Sequence, residues 1–181
     1  MTVRAYNGIQ PRIHETAYID PMALVIGDVT IAADTSVWPM VAVRGDVQSI
    51  SIGAGTNIQD GSILHVTSDN RFTPGGHKLS VGSHVTVGHG VILHACTVHD
   101  LCLIGMGSTI LDGAVVESKV LIGAGSVVPP GKTLKSGHLY LGSPARLVRP
   151  LNGDELEYLD FSWQHYVELK NNHVRTSSDI A

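Results

Sequence analysis

The sequence predicts an all-β chain that coils upon itself as stacked short parallel strands, closed by one C-terminal helix. Three observations predict it: a six-residue period of branched aliphatics, many glycines and β-branched residues beside few aromatics, and an amphipathic stripe near the chain's end. Stepping by six from Ile13 meets Ile19, Val25, Ile31, Val37 and Val43. A second run is Ile52, Ile58 and Leu64, and a third is Ile92, Val98, Ile104, Ile110, Val116, Ile122 and Val128. Three runs of this length exceed chance in an apolar chain. A period of six fits neither the helix, at 3.6, nor a simple amphipathic strand, at 2. It fits a chain that turns a corner every six residues and points one aliphatic inward on each short side. Coils stacked this way share a continuous apolar interior that no single coil could bury.

Composition agrees. The chain of 181 residues is 43% apolar but only 5% aromatic and 15% charged, so its core must be built from Val, Ile, Leu and Ala. Twenty glycines suit tight corners, and Gly27, Gly53, Gly105 and Gly123 fall close behind inward positions, where a corner wants unusual φ/ψ.

The frame breaks twice. Val43 to Ile52 is a step of nine, which predicts an excursion around residues 44–51. Residues 66–80, VTSDNRFTPGGHKLS, are polar and contain Pro-Gly-Gly, so they read as a surface loop. That loop starts directly after His65, and loops on rigid scaffolds often carry function. The β domain is expected over residues 1–150. Residues 151–181 are expected to add a helix and tail to the same domain. Asp154 with Glu157 three residues on reads as a helix start. Leu156, Leu159, Trp163, Tyr166 and Lys170, with Val167 beside them, form the stripe of a helix at about 154–173 packed outside the coil. The polar tail from Arg175 is expected to fray.

Several function classes are excluded. Net charge is −4 with no basic run, so nucleic acid has no electrostatic footprint. No apolar stretch approaches the roughly 18 residues a membrane span needs, and the N-terminus lacks a signal-peptide core. Cys96 and Cys102 suggest no disulfide framework, which points to a reducing, cytoplasmic setting. They read as small buried residues on one stack.

Of ten histidines, His65, His89 and His94 sit inside aliphatic repeat segments, SILHVT and VTVGHGVILHAC. Any one alone reads as a surface histidine. Together they offer three neutral imidazoles for a zinc-type ion, with a fourth position for water. Their spacing constrains the site. His89 and His94 are five apart, so on an extended strand they face opposite ways, with backbones about 16 Å apart. A corner shortens that distance but turns the side chains further apart, so with bonds of about 2.1 Å the two do not easily reach one ion from one chain. The site is therefore expected at a subunit interface, and closed symmetry repeats such an interface around a ring.

The repeat resembles that of the hexapeptide-repeat proteins, which implies a left-handed parallel β-helix of triangular section. Within that group the chain resembles the γ-class carbonic anhydrases, in particular small bacterial members without an acidic loop. The matching segments are WPMVAVRGD, IGAGTNIQDGSILHV, VTVGHGVILHAC, LIGMGS and YLGSPAR, over about residues 12–150. RGD, NIQDGSxLH and GHxxxLH together are specific, whereas hexapeptide acyltransferases share only the repeat. The resemblance implies a homotrimer with His65 and His94 from one subunit and His89 from its neighbour. Zinc is implied, though imidazole also takes iron or cobalt. Arg44 and Asp46 match a pair that acts across subunits. Gln59 matches the residue that positions metal-bound water, Asn57 and Asp60 its polar surroundings, and Tyr140 a nearby tyrosine. The implied activity is reversible hydration of CO2 to bicarbonate by metal-bound hydroxide.

The chain departs from that family's pattern at two glutamates, carrying Val47 and Ser68 instead. Neither can relay a proton, and His77, Asp69 and His84 are the candidate substitutes. Two other functions share the fold: an acyltransferase or thioesterase acting on coenzyme A esters, and a non-catalytic metal-binding trimer.

Overall fold

The computed structural model describes residues 2–176. The chain forms a left-handed parallel β-helix with one C-terminal helix. Its strands fall into three parallel columns, one for each side of a triangular coil. One side aligns Val25, Val43, Leu64, Leu93, Ile110 and Val128. The next aligns Ile13, Ile31, Ile52, Val81, Val98, Val116 and Leu134. The third aligns Ile19, Val37, Ile58, Val87, Ile104, Ile122 and Tyr140. From Val25 inward these residues are essentially solvent-free and form one core. All but the terminal Tyr140 are branched aliphatics, which pack well on a pleated surface and bring no polar group inside.

The inward frame differs from the expected one at one position. Leu93, not Ile92, faces the core: Leu93 is 0% exposed and Ile92 37%. The next inward residue is Val98, so this side is one residue shorter, and the pairing offset drops from 18 for Val98↔Val116 to 17 for Leu93↔Ile110. Ala95, at φ 49°, takes the sharper corner. A run of three apolar residues, Val91 to Leu93, left the frame ambiguous until the neighbouring coils set it.

The expected excursion is a bulge inside the long strand Ala42–Ile52, where the register against Leu24–Ile31 moves from Gly27↔Gly45 to Val29↔Ile50. The loop after His65 is pinned at its root by an antiparallel bridge, Thr67 to His77. The glycines answer two needs. Gly27 takes the left-handed φ, +77°, expected of a corner, and a Cβ there would also lie 2.3 Å from the backbone of Gly45 in the next coil. Gly53 keeps an ordinary φ, but a Cβ there would lie 2.5 Å from the backbone of Gly82 in the next coil. Stacking distance, not corner geometry, demands glycine there.

The helix runs Gly153–Thr176, and residues 177–181 of the expected tail lie outside the described part. Its cap lies two residues before the expected one. Asn152 Oδ1 accepts the Glu155 N–H, and the Glu155 carboxylate accepts the Asn152 N–H, a reciprocal capping box. The helix lies along the third side, touching strands Ser36–Val37, Asn57–Ile58 and Thr86–Val87. Leu159 is buried there, but Leu156 stays 37% exposed and Ser162 takes a buried place the stripe did not include. Trp163 stacks on His84 at 4.0 Å between ring centroids. Tyr166 meets Trp38 edge-on, and buried Lys170 is neutralised by Asp34 at 2.9 Å. Cys96 and Cys102 are both buried and unpaired, on successive sides rather than one stack. Burial pushes each thiol up to about 12, so neither is a ready thiolate ligand. Among the described residues no helix is long and apolar enough to cross a membrane.

Candidate metal centre

The nine residues singled out in the sequence assemble into two clusters and one outlier. The first cluster sits where the Ile63–His65 and Ile92–His94 strands end. These strands pair in register, so His65 lies directly beside His94 one coil away. His65 Nδ1 and His94 Nε2 face each other at 3.2 Å. Their other ring nitrogens each meet a carboxylate: His65 Nε2 lies 3.0 Å from Asp46 Oδ1, and His94 Nδ1 2.6 Å from Asp112 Oδ1. Arg44 bonds the far oxygen of Asp46, and Thr67 that of Asp112.

These contacts set the protonation states. Burial alone would raise Asp46, yet hydrogen bonds from Arg44 and His65 hold its carboxyl below the ordinary range. Asp112 behaves the same way: bonds from Thr67 and His94 outweigh its burial and lower it. His65 is lowered, chiefly by burial, with the Arg44 and His94 charges adding to the effect, and is therefore neutral near pH 7. The carboxylates occupy the outer nitrogens, and the two facing nitrogens share one hydrogen bond whose donor depends on the tautomer. Two imidazole nitrogens on a tetrahedral ion with bonds of about 2.1 Å would stand about 3.4 Å apart. The gap fits.

Asp112 was not found from the sequence. The coil here is 17 residues by its strand pairing while Asp112 lies 18 beyond His94, so spacing does not single it out. Nothing in the motif itself marks it. A carboxylate behind a metal-binding histidine fixes its tautomer and raises its basicity, and losing one typically costs 10–100-fold in affinity. Asp112→Asn is expected to weaken metal binding by about that factor, as read by chelator competition. An unchanged affinity would mean that Asp112 does not orient His94.

The second cluster lies at the other edge of the same side. His89 sits in the turn that ends at Gly90, before the chain enters strand Ile92–His94. Its Nδ1 is 3.0 Å from Asp60 Oδ2, and the ring is half exposed. Gln59, buried, donates to Asn57 Oδ1 at 3.1 Å. Asn57 in turn donates to Thr86, whose hydroxyl meets Ser162 of the helix. Gln59 and His89 open onto a cleft of about 230 Å³ whose far wall includes Leu103, Met106, Tyr158 and Tyr166.

Tyr140 joins neither cluster. It ends the inward column of the third side, 3% exposed, with its hydroxyl accepting the Lys135 N–H. Of the candidate proton relays, His84 is committed to its stack on Trp163. Asp69 accepts the Gly75 N–H within the loop. Among the described residues no group of three or more His, Cys, Asp or Glu gathers to hold a metal within one chain. Two histidines meet at one edge and the third stands at the other.

Comparisons with known proteins give the family. No protein-family model matches the chain. It is 50% identical to Protein YrdA of Escherichia coli over 95% of this chain and 94% of that one. It is 41% identical to the mitochondrial gamma carbonic anhydrase 1 of Arabidopsis thaliana, over 91% of this chain but 59% of the longer plant protein. Among solved structures, a hexapeptide transferase family protein from Anaplasma phagocytophilum superposes with a TM-score of 0.88 at 38% identity, covering 95% and 98% of the two chains. A putative acetyltransferase from Bacillus cereus gives 0.90 at 34% identity over 97% and 98%. The coil, the paired histidines and these relatives together place the chain in the γ-carbonic-anhydrase-like family of hexapeptide-repeat proteins.

Proposed function

We propose that the protein is a trimeric metalloenzyme that reversibly hydrates CO2 to bicarbonate, with each metal held by His65 and His94 of one subunit and His89 of the next. The observation that carries it is that all three histidines are built alike. Each gives one ring nitrogen to a carboxylate (Asp46, Asp60 or Asp112). The other nitrogens of His65 and His94 face each other at 3.2 Å, where a metal would take the place of the hydrogen bond between them. Zinc held there would lower the pKa of water to about 7 and would so supply hydroxide for attack on CO2.

Assembly has its own support. Along the side between the two clusters, the outward column reads Leu24, Ala42, Ile63, Ile92, Thr109 and Val127, with no charge in it. Ile63 is 47% exposed in a single chain. An uncharged aliphatic face of this length asks for a partner. Its two edges carry complementary halves of a site, so head-to-tail packing completes one site per contact, and closure at three subunits suits a triangular prism. Gln59 faces the same cleft as His89 and is placed to orient a reacting oxygen. Arg44 locks Asp46 and through it His65.

The relatives include carbonic anhydrases by name and also transferases. A transferase or thioesterase using one histidine as base would keep its activity after metal removal. Purified protein is expected to contain about one metal per chain and to hydrate CO2 in a stopped-flow assay. Both properties are expected to vanish on chelation and return with zinc. A metal-free trimer as isolated, or hydration at the uncatalysed rate with full metal, would end this reading.

A further inference from the structure

The loop after His65 ends in a rigid tip that presents an aromatic ring to solvent. Asn70 and Thr73 exchange two backbone hydrogen bonds, leaving Arg71 and Phe72 as a two-residue turn. The Asn70 side chain accepts the Phe72 and Thr73 N–H groups, so the tip is fixed rather than floppy. Phe72 is 79% exposed, the most exposed large apolar side chain among the described residues. Arg71 lies 4.4 Å over its ring. The root of the loop belongs to the first cluster, because Thr67 bonds the Asp112 that holds His94. A fixed, exposed Phe beside a half-built site has no occupation within its own chain.

The cleft beside His89 has the opposite need. It is about 230 Å³, walled by Leu103, Met106, Tyr158 and Tyr166, and open to solvent. Apolar cavities of about 150 Å³ already hold a benzene ring. Asp60 stands next to it, paired with the half-exposed His89, and is 49% exposed itself. The cleft is thus apolar with an acidic rim, and the loop tip is aromatic with a basic neighbour.

We infer that Phe72 of one subunit inserts against the Leu103 and Met106 wall of the cleft beside His89 of the adjacent subunit, leaving its Gln59 end open to the site, with Arg71 against Asp60, so that the loop both staples the trimer and covers the completed site. This rests on the shared-site reading, since bringing a neighbour's His89 to His65 and His94 brings its cleft to the root of this loop. The occupant is a second copy of the chain. The loop's polarity and its Pro-Gly-Gly then have a purpose: to carry one aromatic across a subunit boundary.

The test is disulfide trapping with Phe72→Cys and Met106→Cys, both exposed positions that the fold does not need. The two native cysteines are buried and will not compete. The double variant, oxidised, is expected to run as covalent dimers and trimers on a non-reducing gel, while each single variant runs as a monomer. In parallel, Phe72→Ser is expected to raise the concentration at which the trimer dissociates by about tenfold or more, the effect of exposing one buried aromatic. A trimer that binds metal but neither cross-links nor weakens would overturn the loop insertion and leave the shared site standing. A monomeric wild-type protein would overturn both.

Discussion

Mixing two metal-free variants, His89→Ala and His94→Ala, is expected to restore about a quarter of the metal sites once subunits exchange. Each variant alone removes one ligand from every site, and two imidazoles hold zinc far more weakly than three. In the proposed head-to-tail ring, each site takes His65 and His94 from one chain and His89 from the next. Every mixed trimer contains one junction where an intact His94 edge meets an intact His89 edge, and random exchange makes about three trimers in four mixed. Metal content by elemental analysis, before and after refolding the two together, reads the outcome directly. If both ligands belonged to one chain's own site, mixing would recover nothing, because each chain would carry its own defect. Recovery is therefore specific to sharing, and no monomeric arrangement reproduces it.

The second large effect separates two adjacent residues. Leu93→Ala removes a fully buried side chain from the middle of the core and is expected to destabilise the chain by about 2–5 kcal/mol. Ile92→Asp places a charge on the outward aliphatic column instead. It is expected to leave the coil folded, with unchanged far-UV circular dichroism, but to dissociate the trimer and with it the metal. Thermal unfolding and sedimentation velocity distinguish the two. An Ile92→Asp chain that unfolded, or a Leu93→Ala chain as stable as the parent, would show the register of this coil to be shifted by one.

That pair also shows where reading by sequence fails. A strict step of six places Ile92 inside, and the hydrophobicity of Val91, Ile92 and Leu93 gives no reason to object. The arbiter is the neighbouring coil. Leu93 pairs with Leu64 and Ile110, and the shorter side is absorbed at Ala95. Likewise the helix start read at Asp154 belongs to Asn152, because both Asn152–Glu155 and Asp154–Glu157 satisfy the spacing rule and only the backbone decides between them.

The candidate site was partly legible for a similar reason. His65, His89 and His94 were visible because each interrupts an aliphatic pattern. Asp112 was not, since it occupies an ordinary polar corner of a later coil and acquires meaning only by standing above His94. Asp46 and Asp60 were visible from the motif, but their bonds to His65 and His89 were not.

The sequence by itself determined that this chain is a coil of short sides with an aliphatic interior, which follows from periodicity, a local property repeated many times. The tertiary structure alone decided which residues stack across coils: His65 upon His94, Asp112 behind it, Thr67 behind that. Residues brought together from one coil to the next have a sequence separation that changes wherever a loop or a dropped residue intervenes, here 29 between His65 and His94. No fixed spacing encodes such contacts, so only the stacked coordinates reveal them.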